Sequence, residues 1–174
     1  MIRLVHEREL DATPAQVGGL IDSLASAEDR LWPSDRWPPI WFDRPLGVGA
    51  KGGHGPVRYE VSDYEPGRRV CFRFDPKTFV GHHWFEVTTR DGRTLLRHVA
   101  EGGTRSWMRL AWPAALRWMH DAAVKDSLDR AQAQLRGTPW RPRRLGGWVR
   151  MLRAIGRMVM GEQAAPRGPR ETDG

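Results

Sequence analysis

Two histidines are the residues in this sequence best placed to do chemistry. His83 lies in an alternating stretch, His82–Thr89, and His98 lies in the next alternating stretch, after an Asp91-Gly92 hairpin turn. The two-residue period puts both imidazoles on the face of these strands that is predicted to be buried. Since histidine titrates near neutrality, the pair could bind a ligand's oxygen atom or act as general acid and base. The alternative is that each is a core histidine, hydrogen-bonded to the backbone or to water.

Aromatic residues share the predicted buried face with this pair. The hydroxyl of Tyr59 either orients a ligand or fills space in the core. Ligand cavities are mostly apolar with a few placed polar groups, so aromatic residues at these positions are candidate cavity walls. The alternative is a filled core without a cavity. The candidate walls are Phe72, Phe74, Phe85 and Trp118.

Several other kinds of chemistry lack their sequence signatures. The glycines at 47–55 are not followed by the Lys-Ser/Thr pair and helix of a phosphate-binding loop, and no HExxH spacing occurs. His82 and His83 are adjacent, so on a strand they point to opposite faces and cannot easily share a metal. The single cysteine, Cys71, excludes an internal disulfide and a cysteine metal cluster. We therefore expect no metal and no cofactor.

A long helix is predicted to cover the buried face. Apolar residues recur at spacings of three and four between residues 104 and 137, where Gly137 and the following Thr-Pro form a stop signal. Because proline is tolerated in a first turn, the regular helix is predicted to begin near Trp112 or Pro113 and to run for about 24 residues. Its predicted buried face comprises Trp107, Ala111, Ala114, Trp118, Ala122, Leu128 and Leu135. Its predicted solvated face includes Asp121, Asp126, Asp129 and Arg130.

The segments before this helix predict a sheet. Ile2–Leu10 is predicted as a strand, and Pro14–Leu24 as a helix capped by Thr13. Three or four later stretches within residues 57–101 alternate apolar and polar residues, which is typical of an antiparallel meander with one buried face. Residues 32–56 are rich in Trp, Pro and Gly and are interpreted as a loop that packs tryptophans on the core or as a mobile lid. The predicted fold class is therefore α+β.

The net charge of +7 arises at one end of the chain. Residues 136–174 contain nine Arg and three acidic residues, whereas the body of the chain is nearly neutral. The charge therefore does not support a nucleic-acid partner for the protein as a whole. The N-terminal sequence MIRLVHEREL lacks the apolar stretch of a signal peptide, and no apolar run approaches the roughly 20 residues of a membrane span. We expect a cytoplasmic protein.

A basic amphipathic segment, residues 138–161, follows the long helix. If it is helical from about Trp148, apolar residues share one face and arginines share the other. This pattern is typical of a helix on an anionic membrane surface, and it fits equally well docking on a partner, on a second subunit or on the protein's own body. The candidate surface comprises Trp148, Arg150, Leu152, Arg153, Ile155 and Arg157. Residues 162–174, rich in Pro, Gly and charge, are predicted to be disordered.

The order of several short motifs carries a resemblance to a known family. The motifs are Ala12-Thr13-Pro14, Tyr64-Glu65-Pro66-Gly67-Arg68-Arg69-Val70, His83-Trp84-Phe85-Glu86-Val87, Gly92-Arg93-Thr94-Leu95-Leu96-Arg97-His98, His120-Asp121-Ala122 and Asp126-Ser127-Leu128. Over residues 1–137 the chain resembles the START-like, or helix-grip, superfamily (SRPBCC), and most closely its bacterial polyketide cyclase/dehydrase and lipid-transport group. The resemblance implies a curved antiparallel β-sheet wrapped on a long C-terminal α-helix, with an apolar ligand between them. It implies no universal catalytic motif, so it assigns no catalytic residue.

Three functions fit these observations. The first is binding of a small hydrophobic or aromatic ligand in a cavity between the sheet and the long helix of a domain formed by residues 1–137. The second is a polyketide cyclase- or dehydratase-like enzyme that uses His83, His98 or Tyr59. The third is an interaction module that acts through the basic segment, either peripherally at an anionic membrane or in a homodimer.

Overall fold

A computed structural model describes residues 1–77 and 79–160; in the last helix, side chains are described to residue 156 and at Met158. The strands are β1 (Ile2–Leu10), β2 (Trp41–Phe42), β3 (Lys51–His54), β4 (Val57–Glu65), β5 (Arg69–Phe74), β6 (Phe79–Arg90) and β7 (Arg93–Thr104). The helices are α1 (Pro14–Asp22), α2 (Met108–Ala111), α3 (Arg117–Leu135) and α4 (Gly147–Met160). A π-helical segment, Trp112–Leu116, joins α2 to α3, and we call the continuous stretch 108–135 the long helix.

The seven strands form one antiparallel sheet in the order β1-β7-β6-β5-β4-β3-β2. The first strand pairs with the last strand along its whole length, with Ile2 opposite Gly102 and Leu10 opposite Thr94. The other strands follow one another as antiparallel neighbours, and the curved sheet holds the long helix. The α+β, helix-grip architecture predicted from the sequence is therefore confirmed.

The glycine-rich stretch contains a strand, β3, that the sequence analysis does not predict. Its glycines are needed because neighbouring backbones come very close: a Cβ at Gly52 would lie 1.8 Å from the carbonyl oxygen of Trp41. A Cβ at Gly53 would lie 2.0 Å from the carbonyl oxygen of Val57. In the preceding segment Trp32 and Trp37 are buried, so this region packs on the core, as in the first of its two interpretations.

Helix α1 is capped as predicted and then locks against a turn of the sheet. The Thr13 hydroxyl accepts a bond from the backbone N–H of Gln16, and the Gln16 side chain accepts one from the backbone N–H of Thr13. At the other end, the Asp22 carboxylate accepts bonds of 2.9 Å from the backbone N–H of Gly67 and from the hydroxyl of Tyr64. Gly67 has φ +73°, the left-handed conformation that a glycine at this turn adopts without strain.

The long helix differs from its prediction in where it is regular and which side it buries. Pro113 lies at the start of the π-helical segment, and regular α-helix begins only at Arg117. The predicted buried face is wrong at its aromatic end, because Trp107 and Trp118 are exposed. Ser127, in the middle of the observed buried face, comes nine residues after Trp118, which places the two on opposite sides at 100° per residue. The buried face of α3 comprises Ala123, Val124, Asp126, Ser127, Leu128 and Ala131.

Asp126 is buried and not solvated, contrary to the prediction. Asp126 is 1% exposed. With Trp37 and Arg36 it forms a polar anchor between the long helix and the segment 32–56. The indole N–H of Trp37 donates to Asp126 Oδ2 at 2.8 Å, and Arg36 Nε lies 3.2 Å from the same atom. The next residue, Ser127, donates from its hydroxyl to the carbonyl oxygen of Leu31 at 3.0 Å. Burial raises the pKa of Asp126, and the Trp37 bond opposes that shift.

Helix α4 docks on the protein's own body. Val149 is buried in the core, and the indole N–H of Trp148 donates to the carbonyl oxygen of Ala114 at 3.0 Å. Arg153 lies over the Trp37 ring, 4.7 Å from its centroid. Leu152, on the predicted apolar face, is partly buried. One part of that face therefore packs on the body of the protein, and the other part points outward. No helix of the described residues is long and apolar enough to cross a membrane.

The outward side of α4 keeps exposed apolar side chains. The exposed residues are Trp148, Met151, Ile155 and Met158. Arg150 is also exposed, and Arg153 is partly buried. The side chain of Arg157 and the predicted disordered residues 162–174 lie outside the described part of the chain.

Two adjacent glycines test the close packing of α1. Gly18→Ala is expected to lower the free energy of unfolding by about 2–3 kcal/mol, because its Cβ would lie 1.9 Å from the Gly67 carbonyl oxygen and two backbones must separate. The Cβ of Gly19→Ala would meet only the end of the Arg30 side chain, at 3.7 Å. This substitution is expected to raise the free energy of unfolding by up to about 1 kcal/mol through helix propensity. Urea unfolding measures both values, and equal effects would contradict the packing.

The polar anchor gives a second prediction. Asp126→Ala leaves the buried Trp37 N–H and the partly buried Arg36 guanidinium without their acceptor, so the free energy of unfolding is expected to fall by about 3 kcal/mol. The matched control is Asp63→Ala: Asp63 pairs with Arg69 at 3.7 Å, and its side chain is 58% exposed. Its loss is expected to be below about 1 kcal/mol. Chemical denaturation measures both values. A comparable loss of the free energy of unfolding in the two variants would contradict the stabilising role of the polar anchor.

Candidate ligand site between the sheet and the long helix

The candidate residues chosen from strand alternation lie together on the inner face of the sheet. Antiparallel register places Phe72 opposite His83 on neighbouring strands and Phe85 opposite His98. His83 is 6% exposed and His98 2% exposed, and Tyr59, Phe72 and Phe85 are also buried. Opposite residues share one face of a sheet, so two-residue periodicity on separate strands is enough to bring these rings together.

His83 is the centre of the aromatic cluster. Its ring centroid lies 4.9 Å from that of Tyr59, 4.8 Å from that of Phe72 and 4.7 Å from that of Phe74. Phe85 lies edge-on to His98, with 4.6 Å between the ring centroids. Because His83 also contacts His98, with 5.6 Å between the ring centroids, the six strand residues predicted to line a cavity form one connected cluster.

The two histidines face each other through ring nitrogens. His83 Nδ1 and His98 Nε2 are 3.4 Å apart. A neutral imidazole has one N–H donor and one acceptor nitrogen. Whichever ring donates across this gap, one of the two outer nitrogens, His83 Nε2 or His98 Nδ1, is then an N–H donor and the other is an acceptor. The pair thus presents one donor and one acceptor in either tautomeric arrangement.

Three further histidines extend the pair into a row, and the sequence analysis does not identify them. The His120 ring lies 5.1 Å from that of His98, and the His6 ring lies 6.1 Å from that of His120. At the other end, His54 Nδ1 lies 3.0 Å from the Tyr59 hydroxyl oxygen. We call these five residues, His54, His83, His98, His120 and His6, the histidine row.

The signals for these three histidines were weak for identifiable reasons. His6 shares the inner-face parity of β1 and pairs with His98, but the β1–β7 pairing is not visible in the sequence. His54 lies in the glycine-rich stretch that does not read as a strand. His120 lies on the long helix, where the predicted face was centred on the wrong side.

Four ring nitrogens of the row are buried without a hydrogen-bond partner among the described residues. They are His6 Nδ1, His83 Nε2, His98 Nδ1 and His120 Nδ1. A buried polar atom left without a partner costs on the order of 1–3 kcal/mol, so clusters of such atoms call for an explanation. At the outer end of the row, the other ring nitrogen of His6 has a partner, because His6 Nε2 lies 2.7 Å from Asp121 Oδ1.

Burial holds the inner rings of the row in the neutral state. It lowers the pKa of His54 to about 4, with a contribution from the positive charge of Arg58, and that of His120 to about 3, with contributions from the neighbouring histidines. It also lowers the pKa of His83 and of His98 well below the ordinary value, again with a contribution from the neighbouring histidines. At neutral pH these imidazoles are therefore uncharged.

The two flanking polar groups respond in opposite directions. Burial raises the pKa of the Tyr59 phenol far above its usual range, so this group stays protonated. Burial also opposes ionisation of Asp121, but hydrogen bonds from Lys125 and His6 outweigh it and leave the pKa of Asp121 below its ordinary value. The row thus ends in a carboxylate at the protein surface.

The long helix packs unevenly over this face. In the wholly described stretch 109–122 no residue is fully buried, whereas the buried face of α3 begins at Ala123. The π-helical segment lies in the loose half, where Trp112 packs against Phe79 and His120, with 5.5 Å and 6.0 Å between ring centroids. The tight half of the helix anchors it, and the loose half covers the histidine row.

Trp118 does not line the predicted cavity. It is 49% exposed, and its indole N–H donates to the carbonyl oxygen of Pro113 at 3.1 Å, on the side of the helix away from the sheet. In its place, the long helix contributes His120, which belongs to the histidine row and packs against His98, and Trp112, whose ring packs against that of His120.

Two pockets open on the molecule. The lining of one, of about 840 Å³, combines Tyr59 and Phe74 of the candidate site with charged residues such as Arg58, Glu60 and Arg73. The other is lined largely by arginines near α4. Among the described residues, no group of three or more His, Cys, Asp or Glu side chains is arranged to hold a metal ion.

Other solved structures share this fold, although the sequence matches no known family. No protein-family model matches the sequence, and no curated protein is significantly similar to it. Among solved structures, CalU16 from Micromonospora echinospora aligns with a TM-score of 0.55 at 15% identity, covering 90% of this chain and 84% of CalU16. A protein from Nitrosospira multiformis aligns with a TM-score of 0.56 at 15% identity, covering 77% of this chain and 96% of its own length.

A third structure agrees with these two. Protein Ms6760 from Mycobacterium smegmatis aligns with a TM-score of 0.54 at 17% identity, covering 78% of this chain and 91% of its own length. Similarity at this level of identity bears on the fold and not on chemistry. With a seven-stranded antiparallel sheet curved around a long helix, the chain shares the START-like, helix-grip fold with these solved structures.

Proposed function

We propose that the protein binds a small, neutral aromatic ligand between the sheet and the loose half of the long helix. The ligand carries a hydroxyl or carbonyl group that hydrogen-bonds to the histidine row. The observation that carries this proposal is the set of four buried ring nitrogens without partners, at the interface where ligands of this fold are expected. A ligand oxygen atom bound to one of these nitrogens would remove the cost of leaving that nitrogen unpaired.

The chemistry of the cluster favours an aromatic ligand. Phe72, Phe74 and Phe85 supply ring faces and edges, and His83 with His98 supplies one donor and one acceptor. Apolar walls with a few placed polar groups are what a small-molecule site requires. Neutral rings in a buried site favour a neutral ligand, because a buried anion would lack a permanent positive partner there.

Entry of the ligand is supported by the loose half of the long helix. The stretch 109–122 is not fully buried at any position and contains the π-helical segment Trp112–Leu116. Segments with little buried surface open at low free-energy cost, and π-helical turns occur frequently at functional sites. The anchored half, from Ala123 onward, keeps the fold intact while the first half moves.

Acid–base catalysis is the second candidate, because Tyr59, His83 and His98 converge in one cluster. A neutral imidazole is a competent base, but a cyclase- or dehydratase-like reaction also needs a proton donor. The lowered pKa values of His83 and His98 and the raised pKa of Tyr59 leave no group of this cluster suited to donate a proton at neutral pH. The cluster therefore favours binding over catalysis.

The binding proposal is tested with two probes that differ by one hydroxyl. The protein is expected to bind 2-naphthol more tightly than naphthalene, and His83→Phe is expected to weaken 2-naphthol binding about 5- to 20-fold, the loss of about 1–2 kcal/mol of hydrogen bonding. Naphthalene binding should change less than about twofold. Fluorescence titration provides the affinities. His82→Phe, on the exposed outer side of the same strand, is the matched control and should leave both affinities unchanged.

Two results would contradict this proposal. One is equal affinity of the wild-type protein for the two naphthalene probes. The other is an equal loss of both affinities in His83→Phe, which would mean that the substitution acts on packing and not on a hydrogen bond.

The neutral state of the histidine row predicts acid instability. Because the pKa values in the folded protein lie below that of an unfolded histidine, about 6.5, the unfolded chain binds more protons as the pH falls through 6.5, and the free energy of unfolding decreases. Each such histidine contributes up to about 1.4 kcal/mol per pH unit until its folded pKa is reached, about 4 for His54 and about 3 for His120.

The variant His98→Phe isolates one contribution. As the pH falls below 6, its free energy of unfolding should fall less steeply than that of the wild-type protein, by up to about 1.4 kcal/mol per pH unit. Denaturant titrations at a series of pH values measure the slopes. His82→Phe is again the control, and a wild-type slope in His98→Phe would show that His98 does not remain neutral in the folded protein.

A further inference from the structure

A second pocket, of about 500 Å³, lies beside the first turn of α4, away from the histidine row. Its lining consists of five arginines and one leucine: Arg36, Arg143, Arg144, Leu145, Arg150 and Arg153. We call it the arginine pocket. The planar guanidinium group of arginine presents donors that match the oxygens of phosphate groups. The volume of the pocket is within the range of small-molecule sites.

Contacts to the body of the protein fix the position of several of these arginines. Arg36 donates to the carbonyl oxygen of Arg143 at 2.6 Å and pairs with Asp126 at 3.2 Å. Arg153 donates to the carbonyl oxygen of Arg36 and stacks over Trp37. An anion entering the pocket therefore meets groups that are already ordered, which reduces the entropy cost of binding.

Positive charge in the pocket exceeds the negative charge around it. Asp126 pairs with Arg36 and Asp129 with Arg143, but Arg144 and Arg150 have no carboxylate partner in the described part of the chain. The first turn of α4 contains no acidic residue, so the positive end of the helix dipole is not neutralised by its own sequence. The missing negative charge is what a bound anion would supply.

We propose that the arginine pocket binds a phosphate group carrying two or more negative charges. The oxygens of a multiply charged phosphate can accept hydrogen bonds from several guanidinium groups at once, which suits a pocket lined by five arginines. The same chemistry occurs in a soluble pyrophosphate and in the headgroup of an acidic phospholipid. The apolar side chains exposed on α4, among them Trp148 and Met151, lie on the same helix and make a membrane lipid one source of the phosphate.

The first arm of the test uses inorganic pyrophosphate. Isothermal titration calorimetry at low salt compares the wild-type protein with Arg144→Gln/Arg150→Gln, which removes the two pocket arginines without a carboxylate partner. A loss of at least tenfold in affinity is expected. The matched control, Arg109→Gln/Arg117→Gln, removes two exposed arginines of the long helix and should keep the wild-type affinity within twofold. Thermal unfolding of both variants checks that they fold equally well.

The second arm uses flotation with vesicles of phosphatidylcholine, with and without phosphatidic acid. Pyrophosphate binding without vesicle binding assigns a soluble phosphate ligand to the pocket. Binding to phosphatidic acid vesicles that is lost in the pocket variant and kept in the control assigns the lipid. The proposal would be overturned if the protein bound neither pyrophosphate nor phosphatidic acid vesicles, or if both double variants lost affinity equally. These outcomes are independent of the naphthol affinities, which report on a different part of the molecule.

Discussion

The antiparallel pairing of β1 with β7 is the constraint on which the interior of this protein depends. It joins the two ends of the strand order in the sequence and places His6 opposite His98. Because the long helix follows β7 directly, the same pairing fixes where the helix starts across the sheet. Three histidines from separate parts of the chain, His6, His98 and His120, then meet under the helix.

The long helix combines two regimes of packing. Small residues such as Ala123 and Ala131 let α3 approach the sheet closely, and Asp126 ties it to Trp37 through a buried bond. The preceding half contains a π-helical turn and no fully buried residue after Met108 until Ala123 in this described stretch. Local stability therefore changes along one helix: α3 is anchored to the sheet, and the half before it opens at a lower free-energy cost.

The sequence predicts those features that depend on local periodicity. The inner-face positions of His83 and His98, the capped start of α1 and the antiparallel sheet all follow from two-residue or helical patterns and from capping chemistry. The features that it does not predict depend on tertiary contacts. His54 lies on a short strand that contains two glycines. The apolar spacing of the long helix places Trp118 on the predicted buried face, whereas the observed buried face of α3 lies on the opposite side and includes the polar residues Asp126 and Ser127.

The docking of α4 has a consequence for how the sequence of this helix can change. Its inner side, with Val149 in the core and Arg153 stacked on Trp37, is constrained by the same packing as the rest of the body. Its outer side, with Ile155 and Met158 exposed, is free of that packing constraint. In homologous chains, substitutions at the inner positions should therefore accompany substitutions in the core, whereas substitutions at the outer positions should occur independently of the core.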